Sequence, residues 1–295
     1  MFSRSRHLDD KVSIVLPTYN GERFIADAIE SIIAQTYDNW ELIIVNDCSS
    51  DGTVSIIEKY LRNDTRIRLI NNEKNLKLPN SLNVGFKNAK GNLLTWTSDD
   101  NLYFPSAIED MVNTIKSSGN IMLAYADCNI INEAGNQIGI ALLPSPYHIV
   151  LGNNIGACFL YTREAYEKVG NYDDDLFLAE DYDYWIRIYQ KGEFKHLEKI
   201  LYSCRRHSAS LTSTKKEMIR QQTFKMFEKH FSFLYSDALR NHLEYSFFYN
   251  ILTLADNNQH QEIYKRIKNL NKIAWLYCKA KTMFNVVRGW RKNNA

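Results

Sequence analysis

The chain predicts an α/β fold: a mostly parallel sheet flanked by helices, with a helical C-terminal extension. Three observations carry that expectation. Apolar runs of strand length alternate with helix-spaced amphipathic segments through the first 70 residues, the pattern of strands covered on both faces. Acidic and turn residues cluster just beyond those runs, where ligands of such sheets bind. From Lys215 onward the pattern is helical to the end.

Taken in order, residues 12–16 are apolar and β-rich and lead into Pro17, a buried strand. Residues 22–35 carry Phe24, Ile25, Ala28, Ile29, Ile32 and Ile33 at helical spacing. Residues 42–45 form a second buried strand ending in Asn46-Asp47, and Ser49, Ser50, Asp51 and Gly52 are turn and cap residues before a helix at 53–61. A strand at 67–70, a helix at 79–90 and a strand at 93–97 follow, the last ending in Ser98-Asp99-Asp100. Pro105 opens a helix at 105–117 in a favoured first-turn position. A strand is expected at 121–126, and residues 127–160 are irregular or hairpin-like. A short helix at 163–169 stops at Gly170, a helix covers 179–191 and a strand covers 196–202. Trp96 and Trp185 are expected in the core.

Composition narrows the function. With 45% hydrophobic and 24% charged residues the 295-residue chain is an ordinary globular protein. A net charge of +2 argues against nucleic acid as partner. The five cysteines are scattered and never form C-x-x-C, which fits reduced thiols in a cytoplasm, not disulfides or zinc. No apolar stretch follows the N-terminal charges and no segment approaches a membrane span, so a cytoplasmic protein is expected, free or at the inner face of the membrane. Neither G-x-x-x-x-G-K-[ST] nor G-x-G-x-x-G occurs, which disfavours P-loop ATPases and dinucleotide-dependent dehydrogenases.

Three acidic sites stand at strand ends or helix starts: Asp47, Asp99-Asp100 and Glu180-Asp181. Asp47 alone is equally a helix cap. The Asp99-Asp100 pair is different, because adjacent carboxylates repel unless a cation sits with them. Magnesium and manganese prefer carboxylate and phosphate oxygens, and a metal held this way bridges a diphosphate.

The stretch VSIVLPTYNGERFIADAIESIIAQTYDNWELIIVNDCSSDGT, residues 12–53, resembles the opening of the inverting family-2 glycosyltransferases of the GT-A fold. The turn Pro17-Thr18-Tyr19-Asn20 follows the first strand, and Asn46-Asp47-Cys48-Ser49-Ser50-Asp51-Gly52-Thr53 fits the second, with Asn46 where Asp is more usual. Ser98-Asp99-Asp100-Asn101 resembles the family's metal and sugar-nucleotide motif with its first Asp replaced by Ser98. Gly156-Ala157-Cys158, Arg163 and Val169-Gly170-Asn171-Tyr172 resemble the acceptor side, Glu180-Asp181 the catalytic acidic pair, and Arg205-Arg206-His207-Ser208 the basic-His segment over the diphosphate. The resemblance covers about residues 12–210 and implies a Rossmann-like catalytic domain over 1–212, with a nucleotide half at about 1–100 and an acceptor half at about 101–212, followed by a helical region over 213–295.

That resemblance implies roles. Tyr19 would stack on the base with Pro17 and Asp47 beside it, and Asp47 would accept the base N–H of uracil or thymine. Asn20 lies in the same turn, and Glu22 either contacts the nucleotide or favours a helix N-terminus. Asp99 would face the ribose or donor sugar, Asp100 would ligate Mn2+ or Mg2+, and Asp181 would be the general base with Glu180 as its structural neighbour, or the two would have these roles exchanged. His207 would meet the metal or diphosphate, or stay a solvated loop residue, and Arg205 and Arg206 would pair with diphosphate oxygens, or form a solvated basic pair. The expected partners are a nucleotide-sugar donor and a glycan or lipid-linked oligosaccharide acceptor. Residues 262–295 hold nine Lys/Arg against Glu262, interleaved with apolar and aromatic residues, which suits peripheral contact with an anionic membrane or a packed helix with a basic face. A catalytically silent homologue is disfavoured by the joint presence of Asp47, Asp99, Asp100 and Asp181, and a nucleotidyltransferase by the acidic turn after the first strand.

Overall fold

Residues 10–281 are described by the computed structural model. Their elements follow in chain order as β1 (Val12–Thr18), α1 (Ile25–Ile33), β2 (Trp40–Asn46), α2 (Thr53–Leu61), β3 (Ile67–Asn71), α3 (Lys77–Lys87), β4 (Leu93–Trp96), β5 (Leu102–Tyr103), α4 (Ala107–Lys116), β6 (Ile121–Ile131), β7 (Gln137–Ala141), β8 (Cys158–Thr162), α5 (Arg163–Val169), α6 (Glu180–Tyr189) and β9 (Glu193–Arg205). The helices α7 (Leu211–Thr214), α8 (Lys216–Arg240), α9 (Glu244–Leu254) and α10 (Asn257–Leu270) complete it, with residues 272–281 also helical. The chain divides into two units: Met1–Pro146 with Asn153–Thr214, and Tyr147–Gly152 with Lys215–Ala295.

In the first unit one sheet runs β3-β2-β1-β4-β8-β6-β9-β5, with β7 paired to β6. Strands β1 to β4 pair in parallel, as their apolar runs predict, and β1 and β2 are buried throughout. Beyond β4 the ladders mix: β8 is antiparallel to β4 and β6, whereas β6 and β9 are parallel. Hydrophobic pattern reports burial and not direction, so this half is legible only in the structure. The core is Ile14, Leu16, Leu42 and Ile44 under Ile25, Ala28, Ile29 and Ile32, continued by Leu160, Ala124 and Ala126 under Ile108, Met111 and Val112.

The helices α2 and α5 have the expected bounds. Helix α1 starts three residues later than the spacing predicts, because Gly21 O caps a turn by accepting the N–H groups of Phe24 and Ile25. Trp185 is fully buried, but Trp96 is only partly so. The segment 127–160 holds the β6–β7 hairpin and a 3-10 turn at Pro146–Leu151. In the second unit Phe227, Phe231, Phe247 and Phe248 make the centre, and Asn250 donates to the Leu151 carbonyl at 2.8 Å. Among the described residues no helix is long and apolar enough to cross a membrane.

Candidate active site

Strand register brings the acidic residues to one rim. Thr18 is opposite Asn46, and Val15 is opposite Trp96. Continuing the second ladder by three residues sets Thr18 beside Asp99, and there the Thr18 hydroxyl donates to Asp99 Oδ2 at 2.5 Å. Gly21 lies against this pair: a Cβ at 21 would collide with the Asp99 carboxylate and sit 2.5 Å from Thr18 Oγ1. Burial first, and the charge of Asp100 with it, pushes the Asp99 carboxyl up to about 6 against the Thr18 hydrogen bond.

The β5–β9 ladder delivers the partner of Asp100. Leu102 pairs antiparallel with Ser203, so the chain beyond β9 returns past Asn101 and Asp100. His207 Nε2 lies 3.0 Å from Asp100 Oδ2. The other oxygen, Asp100 Oδ1, is buried without a hydrogen-bond partner. A buried carboxylate oxygen left unpaired is costly, and the imidazole beside the same carboxylate adds a second side chain able to ligate a divalent cation. Among the described residues no cluster of three or more such side chains forms a complete cage, so a cation bound here would draw further ligands from substrate or water.

Arg205 does not join this group. It is 7% exposed, and its guanidinium donates to the carbonyls of Asp100 and Glu133 and to Asp27 Oδ2 while lying over the Phe24 ring. The guanidinium expected at the diphosphate here ties the end of β9 to α1 through Asp27 and to the β6–β7 hairpin through Glu133. Arg206 is exposed and, with His207, Ser208, Asn132 and Glu133, lines an open cavity of about 540 Å³.

The two loops of the expected nucleotide side are clasped together. Asn20 Oδ1 accepts the Ser50 N–H at 2.8 Å, and the Asn20 N–H donates to Ser49 Oγ at 2.9 Å. Glu22 Oε2 accepts the Gly52 N–H at 2.5 Å, and the Glu22 N–H donates to Asp51 at 3.2 Å. Asn20 and Cys48 take positive φ, 55° and 66°, at the corners of the two loops. Tyr19, next to the Asn20 corner, is 54% exposed, and Pro17 stays buried in β1. Asp47 is 4% exposed and accepts from Asn72 Nδ2, Leu76 N and Lys77 N, closing the start of α3. A carboxylate has about four lone-pair sites, so one remains, on Oδ2.

Asp181 arrives from the other side. Antiparallel β8 begins where β4 ends, so the loop before it shares the rim with Asp99. Asn153 in that loop donates to Asp181 Oδ2 at 2.7 Å. Burial pushes the Asp181 carboxyl up, against the bonds from Asn153 and Tyr182 N. Asp181 stands in the first turn of α6, next to Glu180, which is 3% exposed. Thr18, Asn153 and Arg206 are the residues of this rim that sequence reading passed over or left ambiguous.

Comparison with known proteins points one way. Residues 13–170 match the family model described as Glycosyl transferase family 2. An uncharacterized glycosyltransferase of Rickettsia prowazekii is 30% identical over 69% of this chain and 66% of its own length. One of Rickettsia felis is 32% identical over 67% of this chain, which spans only 34% of that relative. EpsE of Bacillus subtilis, named only provisionally as a glycosyltransferase, is 32% identical over 67% of this chain and 74% of its own length. Among solved structures, Staphylococcus aureus TarS 1–349 in complex with UDP superposes with a TM-score of 0.61 at 18% identity, covering 92% of this chain and 91% of that one. The mannosyltransferase PcManGT from Pyrobaculum calidifontis, in complex with GDP-Man and Mn2+, gives 0.64 at 15% identity over 96% and 84%. At these identities the structural likeness speaks for the fold.

Proposed function

The chain belongs to glycosyl transferase family 2, and from that premise we propose that it transfers a sugar from a UDP- or dTDP-linked donor to a hydroxyl of a glycan or lipid-linked acceptor, with inversion, in surface polysaccharide biosynthesis. The observation that carries this reading is Asp100, one oxygen unpaired and the other facing His207, on the same rim as the Asn153-held Asp181. UDP and GDP-mannose complexes among the structural neighbours support a nucleotide-sugar donor.

In this reading the exposed Tyr19 ring stacks on the base, and the lone pair left on Asp47 accepts the base N–H. Asn20 and Glu22 hold the two loops as one platform. Asp99 faces the ribose or donor sugar. Asp100 and His207 would hold Mn2+ or Mg2+, and Arg206 meets the diphosphate. Bound there, such a cation would supply positive charge against the departing diphosphate. Asp181 accepts the acceptor's hydroxyl proton as that oxygen bonds the anomeric carbon, and the nucleoside diphosphate leaves from the opposite face. One base and one leaving group give inversion with no second nucleophile. The cytoplasm at the inner membrane face is the proposed location. In the C-terminal region Leu270, Ile273, Leu276 and Tyr277 are exposed beside Lys268, Lys272 and Lys279, which suits an anionic lipid surface. Arg288, Arg291 and Lys292 lie outside the described residues.

Thermal unfolding with UDP, dTDP, GDP or CDP, each with Mn2+ or EDTA, tests the donor site. A ligand at 100 times its Kd adds about 2.7 kcal/mol. Stabilisation by UDP or dTDP that disappears with EDTA and in Asp100→Ala is expected. No stabilisation by any of the four would overturn the assignment.

A further inference from the structure

Helix α6 starts from a corner with an unusual construction. Leu178 takes φ 78°, a region that costs a residue with a branched side chain on the order of 1–3 kcal/mol unless its surroundings enforce it. The N-cap residue, Ala179, has no side chain able to close the helix. Its N–H is satisfied by the Leu176 carbonyl at 2.8 Å. Glu180 folds back to meet the Leu178 N–H: Oε2 accepts it at 2.5 Å. The Glu180 carboxyl is buried, at 3% exposure, beneath the turn it holds.

Asp181 is the next residue. Neighbours on a helix diverge by about 100°, so with Glu180 anchored inward, Asp181 is turned to the rim where Asn153 meets it. We propose that Glu180 is the positioning residue of this site: by holding Leu178 in its positive-φ turn it fixes the first turn of α6 and so the direction of the Asp181 carboxylate. The inference rests on Asp181 as the base. It goes further, because it assigns Glu180 an acceptor role that requires reach and shape, not charge. Burial first, then the charge of Asp181, pushes the Glu180 carboxyl up. Two adjacent buried carboxylates do not both ionise cheaply, so a neutral Glu180 leaves the charge to Asp181. Among the described residues the charge that acts on Glu180 is that of Asp181. Asp183, also in the first turn, is fully buried and pairs with Arg187 at 2.8 Å.

Hydrogen–deuterium exchange of the full-length protein over residues 174–183 reads the corner directly, and stabilisation by UDP with Mn2+ reports a folded donor site. Glu180→Gln keeps a carbonyl oxygen at the same reach and is expected to keep wild-type protection. Glu180→Asp keeps the carboxyl group but is one methylene short, and is expected to exchange about tenfold faster or more. Glu180→Ala should do the same, and adding Leu178→Gly, which relieves the positive-φ cost, should restore much of the protection. Wild-type protection in Glu180→Ala and Glu180→Asp would overturn the proposal, as would loss of protection in Glu180→Gln. Carboxyl 13C titration of Asp181 supplies a second readout: its midpoint should be preserved in Glu180→Gln and displaced in Glu180→Ala. Failure of the base reading would appear elsewhere, as an Asp181→Asn variant that retains turnover while the corner stays protected.

Discussion

An Asp181→Asn side chain would still accept the Asn153 hydrogen bond through its carbonyl oxygen, yet it takes no proton. Its kcat is expected to fall about 10²–10⁴-fold with donor-dependent stabilisation intact, measured by nucleotide release. The sign of the wild-type pH dependence follows from the same residue. A base works ionised, and burial raises the Asp181 carboxyl above the ordinary 3.8. Activity should therefore be lost as pH falls through that raised value, with the acid limb of kcat/KM above the usual aspartate range. Tyr19→Ala should raise the donor's Kd by about 5–150-fold, the equivalent of about 1–3 kcal/mol for a lost base stack, read by calorimetric titration. An unchanged Kd would place the base elsewhere. Single residues were legible where their chemistry is scarce: a pair of aspartates or a histidine among arginines invites a role. Arg205 and Arg206 look alike in the sequence, and only the structure separates the one buried at the end of β9 under its hydrogen bonds from the exposed one just beyond the strand. Thr18 and Asn153 carry no signal of their own, being ordinary polar residues until register sets them beside a carboxylate.

Strand β2 shows why element boundaries were harder to read. Its apolar run begins at Leu42, but the strand begins at Trp40 and includes Glu41, 4% exposed. A charged residue breaks a hydrophobic pattern, yet here its carboxylate is satisfied: it accepts from Ser13 Oγ at 2.6 Å, Lys90 N at 2.7 Å and Arg68 at 2.7 Å. Burial alone would raise its carboxyl, and these hydrogen bonds overcome that and hold it below 4.5. A depressed carboxylate contributes stability above its ordinary value, and that contribution is lost as pH falls through the lower folded value. Urea unfolding should find Glu41→Ala less stable by about 1–3 kcal/mol at neutral pH, the cost of orphaning its buried donors, and the gap should narrow as pH falls below 4.5. The two-residue β5, the hairpin strand β7 and the long β9 were equally hard to read, since too few residues, exposure or mixed burial hides their period. The parallel strands β1 to β4 were plain because both faces are covered.

At the scale of the whole molecule the chain crosses between its two units more than once. Tyr147–Gly152 leaves the first unit, belongs to the helical one, and hands the chain back at Asn153. Ile149 and Val150 in that segment are completely buried. A chain ending at Thr214 would lack the unit that this segment belongs to. Fully burying each such side chain is worth about 1.5–3 kcal/mol, so the shortened protein should unfold at lower temperature and bind a hydrophobic dye. A truncated chain with the melting temperature of the full one would contradict this. The sequence pattern placed the change to helices near residue 213, but it could not register six residues that sit in one unit by chain order and in the other by packing.

Cys48, at the left-handed corner beside Asp47, is the exposed member of the five cysteines. It therefore offers a ready attachment point. A fluorophore carried on its sulfur would stand at the edge of the platform built around Tyr19, and its emission would follow occupancy in real time without an engineered thiol.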